Sequence, residues 1–208
     1  GSSNLFVKGI SKEIIINKAY FNNIEYELSY SNKLDNCFAF AQSLIFNNHS
    51  LDSISFSYVD DFIDLHSTNS NSGQFLKFNS RVSDSNIFIE RLDARINNVD
   101  IYGENISFLN NRGNYISDNV DLLIDRGHLH ASVNFKDIND INGAISMNNL
   151  SLATIDKLLF LNNRYNGYLI GDIDFLVKNS MWYINTNLLV DNFKFDELEY
   201  SELIFSGL

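Results

Sequence analysis

Apolar residues recur at every second position along most of this chain, which is the spacing of a half-buried β-strand. Serine, glutamate and histidine occupy many of the alternate positions, so each strand has one apolar side and one polar side. Turn residues separate the apolar rows by roughly 8 to 15 residues, a spacing typical of antiparallel sheets and sandwiches. The clearest rows are Ile24, Tyr26, Leu28 and Tyr30; Ile54, Phe56 and Tyr58; and Leu129, Ala131, Val133 and Phe135.

Near both ends of the first third of the chain, apolar and polar residues alternate less regularly. Leu5 to Ile10 and Glu13 to Ala19 predict two strands joined at Ser11-Lys12. The segment Ser67 to Gly73 is rich in serine and asparagine and predicts a flexible loop tip. Because the pattern is the same on both sides of that segment, we do not place a domain boundary there.

The stretch from Ala144 to Val177 combines two periodicities. Its first and last parts alternate as strands do, whereas Leu152, Ile155, Leu158 and Leu159 fall at helical spacing. One short helix near residues 151–161 is therefore predicted between long strands. Further apolar rows follow it: Leu169, Ile173, Phe175 and Val177, then Trp182, Ile184, Leu188 and Val190.

A weak internal repeat places an apolar residue before and after a pair of turn residues. Its uneven intervals favour a sheet extended by hairpins of variable length over a strict solenoid. Abundant asparagine would also produce such pairs by chance. The copies are Phe21-Asn22-Asn23-Ile24, Ile96-Asn97-Asn98-Val99, Met147-Asn148-Asn149-Leu150 and Val190-Asp191-Asn192-Phe193.

Composition excludes several classes of protein. Hydrophobic residues make up 45% of the chain, but no run approaches the roughly 20 apolar residues of a membrane-spanning helix. The net charge of −11 leaves no basic stripe for a phosphate backbone, so we expect no nucleic-acid partner. The single cysteine, Cys37, excludes an internal disulfide framework and is expected to be a small buried apolar residue.

Candidate catalytic and metal-binding residues have simpler explanations. His128 and His130 share one side of a strand, but the sequence supplies no cysteine cluster or His-Glu helix pair to complete a metal site. Adjacent Asp60 and Asp61 would point to opposite faces of a strand, and Asp172 and Asp174 would share a polar face, so solvation explains both pairs better than acid–base catalysis. No Gly-x-Ser-x-Gly motif or phosphate-binding loop is present. We therefore expect no enzymatic activity, no catalytic residue, no metal and no cofactor.

The chain carries 17 Phe and 10 Tyr, mostly within single-sided rows. Such rows could form the closed core of a β-sandwich. They could equally line a groove that is open to an acyl chain, since a large apolar concavity is a binding site or a liability. Alternation alone does not separate these two structures.

The leucine-rich helical dip at 150–160 and the step Gly167-Tyr168-Leu169-Ile170-Gly171 resemble the AsmA/TamB group of bacterial cell-envelope proteins. The resemblance covers Arg91 to Leu208. It implies long antiparallel strands curled into an elongated half-pipe, the β-taco, with a hydrophobic interior. It also implies a location in the periplasm, with the parent protein anchored in the inner membrane, and phospholipid transport between the two membranes. The residues expected to line a lipid-binding groove are Leu129, Ala131, Val133, Phe135, Leu169, Ile173, Phe175, Trp182, Ile184, Leu188 and Val190.

Other interpretations remain open. Expected partners are phospholipid acyl chains and an outer-membrane β-barrel protein, but a chaperone-like role in outer-membrane protein assembly also fits the resemblance. A surface adhesin or carbohydrate-binding sandwich would instead use Tyr102, Tyr115 and Tyr165 beside Asn-rich turns. Residues 1–3 are typical of an expression-tag remnant. We expect residues 4–208 to form one elongated β domain taken from a longer protein.

Overall fold

The computed structural model describes residues 5–16, 19–30, 34–46, 49–69, 73–83, 85–137, 139–159, 165–195 and 198–207. Residues 1–3, interpreted above as a tag remnant, lie outside these ranges. The elements are β1 (Leu5–Ile16), β2 (Ala19–Tyr30), β3 (Leu34–Phe46), β4 (His49–Val59), β5 (Phe62–Asn69), β6 (Gln74–Val82), β7 (Asn86–Ile96), β8 (Val99–Asn111), β9 (Asn114–Ile124), β10 (Gly127–Asp137), β11 (Asp140–Ser151), α1 (Leu152–Leu158), β12 (Tyr165–Lys178), β13 (Met181–Phe195) and β14 (Leu198–Gly207).

The strands are hydrogen-bonded in chain order from β1 to β14 within one open sheet. Every register that the structure defines is antiparallel, for example Ile24 opposite Ala41 and Phe175 opposite Ile184. The prediction of an all-β antiparallel fold with one short helix is confirmed. The described strands form a single open sheet, as a half-pipe requires, and not the two stacked sheets of the sandwich alternative.

The chain divides into two compact units. The first comprises residues 1–83 and 89–95, and the second comprises residues 84–88 and 96–208. We describe each unit by itself. The expectation of one continuous domain over residues 4–208 stays a prediction.

Paired residues with positive φ make the tight hairpin turns. Asp60 and Asp61 connect β4 to β5, Asn97 and Asn98 connect β7 to β8, and Asn179 and Ser180 connect β12 to β13. Two consecutive residues with φ > 0 define the type I′ turn, whose twist matches that of the flanking strands. Asn and Asp tolerate this conformation better than most residues. This explains how a chain without proline forms its hairpins.

The same left-handed conformation also occurs inside strands. Ser53, Asn149 and Asn192 have φ values of 52°, 56° and 52°. At each of them the register shifts by one residue against a neighbouring strand: β5 for Ser53, and β12 for Asn149 and Asn192. These are β-bulges, which bend a strand and increase its twist. In three copies of the weak sequence repeat, the second turn residue is left-handed and lies within a strand, namely β2, β11 or β13. In the fourth copy, Asn97 and Asn98 form a hairpin turn.

Three local predictions need correction. The chain does not turn at Ser11-Lys12, because β1 continues unbroken through them and pairs with β2 as far as Ile16. Helix α1 is shorter than predicted: Leu150 and Ser151 belong to β11, and Leu159 is the exposed C-cap. Of the predicted loop Ser67 to Gly73, the first three residues complete β5, and residues 70–72 lie outside the described ranges.

Each unit has its own buried apolar cluster. In the first unit the cluster consists of Ile24, Ala41 and Ile54, which lie directly opposite one another on β2, β3 and β4. In the second unit it consists of Val99, Ile124, Met147 and Leu150. In four cases a left-handed residue directly precedes a cluster member: Asn23 before Ile24, Ser53 before Ile54, Asn98 before Val99, and Asn149 before Leu150. The bend therefore lies beside the most buried side chains of the strand.

Candidate functional site: the apolar face of the second unit

The strand register brings all of the predicted groove residues onto one side of the second unit. Residues directly opposite each other on antiparallel strands share a face, as do alternate residues along a strand. Leu129 pairs with Met147, Ile145 with Ile173, and Phe175 with Ile184, and these pairings connect β10, β11, β12 and β13. The face comprises Leu129, Ala131, Val133, Phe135, Ile141, Ile145, Met147, Leu150, Leu169, Ile173, Phe175, Val177, Trp182, Ile184, Leu188 and Val190, and we call it the apolar face.

The contribution of β11 to the apolar face was missed from the sequence. Ile141, Ile145 and Met147 lie between the predicted residues of β10 and those of β12. These residues occupy alternate positions in the sequence, but Gly143 interrupts the apolar row. The glycine is required there, because a Cβ atom would collide with the backbone carbonyl oxygen of Ser132 on β10. A gap in an apolar row can therefore mark close approach of two strands.

The opposite side of the same strands carries the polar residues, together with exposed apolar side chains such as Ile170 and Leu176. His130 lies directly opposite Asp121 and Ser146, and Asp172 continues the row on β12. His130 Nδ1 and Asp121 Oδ1 are 2.6 Å apart on the surface. Asp174 Oδ2 accepts a 3.4 Å hydrogen bond from Asn185 Nδ2. The histidine and aspartate pairs thus lie on a solvated face, as their sequence spacing predicted.

Within the described ranges, no group of three or more His, Cys, Asp or Glu side chains is arranged to hold a metal ion. Asp60 and Asp61 form a hairpin turn, in which Tyr58 donates a 2.8 Å hydrogen bond to Asp61 Oδ1. These carboxylates therefore have a structural role in the turn.

Along β13, burial of the apolar face increases towards helix α1. Val99 is fully buried and Leu150 is 3% exposed, and the helix residues Ile155 and Leu158 pack against this cluster. At the other end of β12 and β13, Trp182 is 64% exposed and Ile184 is 48% exposed. The helix closes the face at one end of the strands, whereas at the other end Trp182 and Ile184 contact solvent and their neighbour Val177 is buried.

Two polar contacts hold the helix on this face. Thr154 Oγ1 donates a 2.9 Å hydrogen bond to Asp125 Oδ2, just beyond the end of β9. Asn97 Nδ2 donates to the carbonyl oxygen of Lys157 at 2.8 Å, near the last turn of the helix. Because both partners lie at strand ends, the contacts fix the helix across the ends of the sheet rather than along its centre.

Aromatic rings line the exposed end. Phe135 stacks on Tyr115 with ring centroids 5.2 Å apart and meets Phe108 edge-on at 6.2 Å. Phe135 also lies opposite Ile141, which lies opposite Val177, the partner of Trp182. Phe108 and Tyr115 thus extend the apolar face onto β8 and β9. They were not assigned to it from the sequence because bulges between β9 and β10 change which residues face the same side.

The tyrosine platform of the adhesin alternative is not assembled in this unit. Tyr115 stacks on the apolar face, whereas Tyr165 stacks on Phe193 and Phe195 at the start of β12. Tyr115 and Tyr165 thus lie at opposite ends of the strands. Tyr102 lies on the polar side and donates a hydrogen bond to Glu104.

In the part of the chain that the structure describes, two ionisable groups have shifted pKa values, and neither belongs to the apolar face. Partial burial raises the pKa of the Cys37 thiol above its ordinary value, although the side chain is half-buried and not fully buried as predicted. The ammonium group of Lys194, through a hydrogen bond and its charge, lowers the pKa of Glu199. Neither group is placed to act on a molecule bound at the apolar face.

Among the described residues, no helix has the length and hydropathy that a membrane span requires. Comparisons with protein-family models, with curated proteins and with solved structures give no match to this chain. The resemblance to the AsmA/TamB group therefore stays a prediction, carried by the motifs in the sequence.

Proposed function

We propose that the apolar face of the second unit shields phospholipid acyl chains during their transport between two membranes. The observation that carries the proposal is one continuous apolar face whose exposure increases along β13 away from helix α1. It is covered by a helix at one end and presents Trp182 and Ile184 to solvent at the other. An exposed apolar area of this kind is typical of a site for an apolar ligand.

The dimensions of the face fit a lipid chain. From Leu169 to Val177 the face extends roughly 27 Å along β12, at about 3.4 Å per residue. One acyl chain spans about 15 Å, half of a 30 Å hydrocarbon core. Each methylene group removed from water contributes about 0.8 kcal/mol, so a chain can be held without polar recognition. This would make binding independent of the lipid headgroup.

The charge distribution supports the same function. Asp121, Asp172 and Asp174 lie on the side of the strands opposite the apolar face. None of the residues that we assign to the apolar face has a carboxylate. An ionised headgroup would remain in water at the exposed rim, and only the hydrocarbon would contact the protein. A periplasmic location with an inner-membrane anchor on the parent protein, and an outer-membrane β-barrel partner, belong to the same proposal.

The test is a double substitution of Val133 and Ile184 by Asp. Both side chains lie on the apolar face, at positions where they are not fully buried. The matched control is Ser132→Asp with Tyr183→Asp, which puts the same charges one residue away on the polar side of the same strands. Native mass spectrometry of each purified protein measures bound phospholipid. We expect the wild type and the control to carry lipid and the V133D/I184D variant to lose at least nine-tenths of it.

Circular dichroism establishes that the variants retain their β content. A folded V133D/I184D protein with unchanged lipid content would contradict the proposal, as would a wild-type protein that binds no lipid after incubation with phospholipid vesicles.

A second candidate function is a chaperone-like role, in which an extended client segment pairs with the edge of the sheet. It is favoured by strand β14, where Leu198, Ile204 and Phe205 are all exposed. Phe205 and Ile204 point to opposite faces, and β14 pairs with β13 in the described part of the chain. Apolar side chains exposed on both faces of one strand are typical of a strand that pairs with another extended segment.

A photo-crosslinking amino acid at Ile204 tests this second function, with Ile170 on the interior strand β12 as the matched control. The probe is a synthetic ten-residue peptide with alternating valine and threonine. Crosslinking at position 204 and not at 170, in a preparation free of lipid, would favour the chaperone-like function. Equal crosslinking at both positions would exclude edge pairing.

A further inference from the structure

The side of the first unit that faces away from its buried cluster contains a second concave site. It is a depression of about 790 Å³ across strands β1 to β6. The register aligns its lining residues in two adjacent rows. One row runs Lys8, Glu27, Phe38, Ser57, Asp64 and Asn79, and the other runs Glu25, Phe40, Ser55, His66 and Lys77. We call these residues the aromatic shelf.

Phe38 and Phe40 lie at the centre of the shelf and are 46% and 43% exposed. They belong to β3, a strand whose other side carries Ala39 and Ala41 towards the buried cluster. The rings are therefore not needed to fill the core of the unit. Alternate residues of one strand are about 7 Å apart, so the two rings form a short continuous aromatic surface.

Short polar side chains border the two rings on both sides. Glu27 and Ser57 are the direct cross-strand neighbours of Phe38, and Glu25 and Ser55 are those of Phe40. Each neighbouring strand lies about 4.8 Å away, within reach of a ligand seated on the rings. Carboxylates accept hydrogen bonds, while serine hydroxyls both donate and accept. The shelf thus offers an apolar floor between two lines of hydrogen-bonding groups.

The charges on the shelf restrict the ligand further. Glu25, Glu27 and Asp64 exceed the lysines in number, and Lys8 Nζ lies 3.5 Å from Glu27 Oε2. Lys77 Nζ lies 5.9 Å from the ring centroid of Phe75, a cation–π contact. An anionic ligand would therefore meet excess negative charge. A purely apolar chain would leave the carboxylates and hydroxyls without partners.

We propose that the aromatic shelf binds an uncharged or amino-substituted oligosaccharide. A pyranose ring has an apolar C–H face and a rim of hydroxyl groups. The C–H face carries slight positive charge and is attracted to the negative face of an aromatic ring. The hydroxyl groups would then donate to Glu25 and Glu27 and exchange hydrogen bonds with Ser55 and Ser57. This site is independent of the lipid function, because it lies in the first unit and its lining is polar around the rings.

The experiment is isothermal titration of the protein with three probes: maltohexaose, the hexamer of N-acetylglucosamine, and its deacetylated, positively charged counterpart. We expect at least one probe to bind, and the substitutions Phe38→Ser with Phe40→Ser to weaken that binding at least tenfold. The matched control is Phe6→Ser, since Phe6 is exposed on the same side of β1 but does not line the depression.

A second variant, Glu25→Gln with Glu27→Gln, leaves the rings in place and removes the negative charge. If the ligand is amino-substituted, this variant should bind the deacetylated hexamer at least fivefold more weakly while binding of the acetylated hexamer changes less than twofold. Failure of the wild type to bind any of the three probes would overturn the proposal, as would unchanged binding by the folded F38S/F40S variant.

Discussion

In the first unit the buried cluster is formed by side chains of adjacent strands alone, whereas in the second unit a helix lies over the cluster. Ile24, Ala41 and Ile54 are packed by half-buried neighbours such as Phe21 and Leu65, which are also strand residues. Val99 and Leu150 are packed by Ile155 and Leu158 of α1. The same local signature, a left-handed residue before an apolar residue, precedes both clusters. Val99, in the cluster that the helix helps to cover, is fully buried.

The comparison teaches that an open sheet can bury part of its own face by bending at left-handed residues. In the second unit, a further layer of structure covers the buried cluster. In this protein the second layer is one short helix at one end of the strands. The remainder of the apolar face stays half-buried, and this is the part to which we assign a lipid chain.

The largest effect is expected from truncating the cluster that the helix covers. Leu150→Ala should lower the free energy of unfolding by about 4 kcal/mol, because the cavity lies between the sheet and the helix and cannot collapse easily. Ile24→Ala in the first unit should cost about 2 kcal/mol, because the neighbouring side chains can relax towards solvent. Urea unfolding measures both values. Ile10→Ala, at an exposed position, serves as the control and should cost less than about 0.5 kcal/mol. An equal cost for Leu150 and Ile24 would remove the distinction between the units.

The next effect concerns the contact that holds the helix in place. Thr154→Val keeps the shape of the side chain but removes the hydrogen bond to Asp125, and should cost about 1.5 kcal/mol since the acceptor is charged. Thr154→Ser retains the hydroxyl and should lose less than half of that amount. The same substitutions should increase hydrogen exchange in α1 before they affect the strands of the first unit. A Val variant as stable as the wild type would show that apolar packing alone holds the helix.

A smaller effect is expected at the left-handed residues that both units share. Asn149→Ala should lower the free energy of unfolding by about 1 kcal/mol, because alanine keeps the Cβ atom that disfavours φ near +56° but lacks the amide group that makes this conformation tolerable for asparagine. Asn149→Gly should be close to neutral, because glycine adopts this conformation freely. Asn23→Ala and Asn23→Gly should show the same pattern in the first unit. A large cost for the Gly variants would indicate that the amide side chains, and not the backbone, determine stability here.

The smallest effect is the pH response of Cys37 in the first unit. Burial raises the pKa of its thiol, so the folded state holds the proton more tightly than the unfolded state. The associated stability is therefore fully present below the ordinary thiol pKa of about 8.5 and is lost as the pH rises through the higher folded pKa. Alkylation by iodoacetamide at pH 8 should be slower in the folded protein than in urea. Equal rates would show that the thiol is not desolvated.

Much of the fold could be predicted from alternation alone. The rows Leu129 to Phe135 and Trp182 to Val190 were assigned to strands with apolar residues on one side, and the register places them on a common face. The helix was also predicted, with Ile155 and Leu158 on its buried side. These predictions succeed because backbone geometry fixes which side chains share a face once a strand or helix has formed.

Other features depend on contacts between strands, so the apolar pattern of one strand could not predict them. The unbroken course of β1 through Ser11-Lys12 results from its pairing with β2, since local turn propensity yields when a neighbouring strand supplies hydrogen bonds. The aromatic shelf was not predicted, because Phe38 and Phe40 become its centre only when Glu25, Glu27, Ser55 and Ser57 are aligned beside them.

By itself the sequence determined the β-strand content, the polarity of each strand face and the position of the helix, because these follow from the local periodicity of apolar residues. The tertiary structure alone decided which rows lie side by side, where left-handed residues bend the strands, and which end of the apolar face the helix closes. Those properties depend on register and on backbone contacts between residues far apart in the chain, and a pattern of alternation carries no information about either.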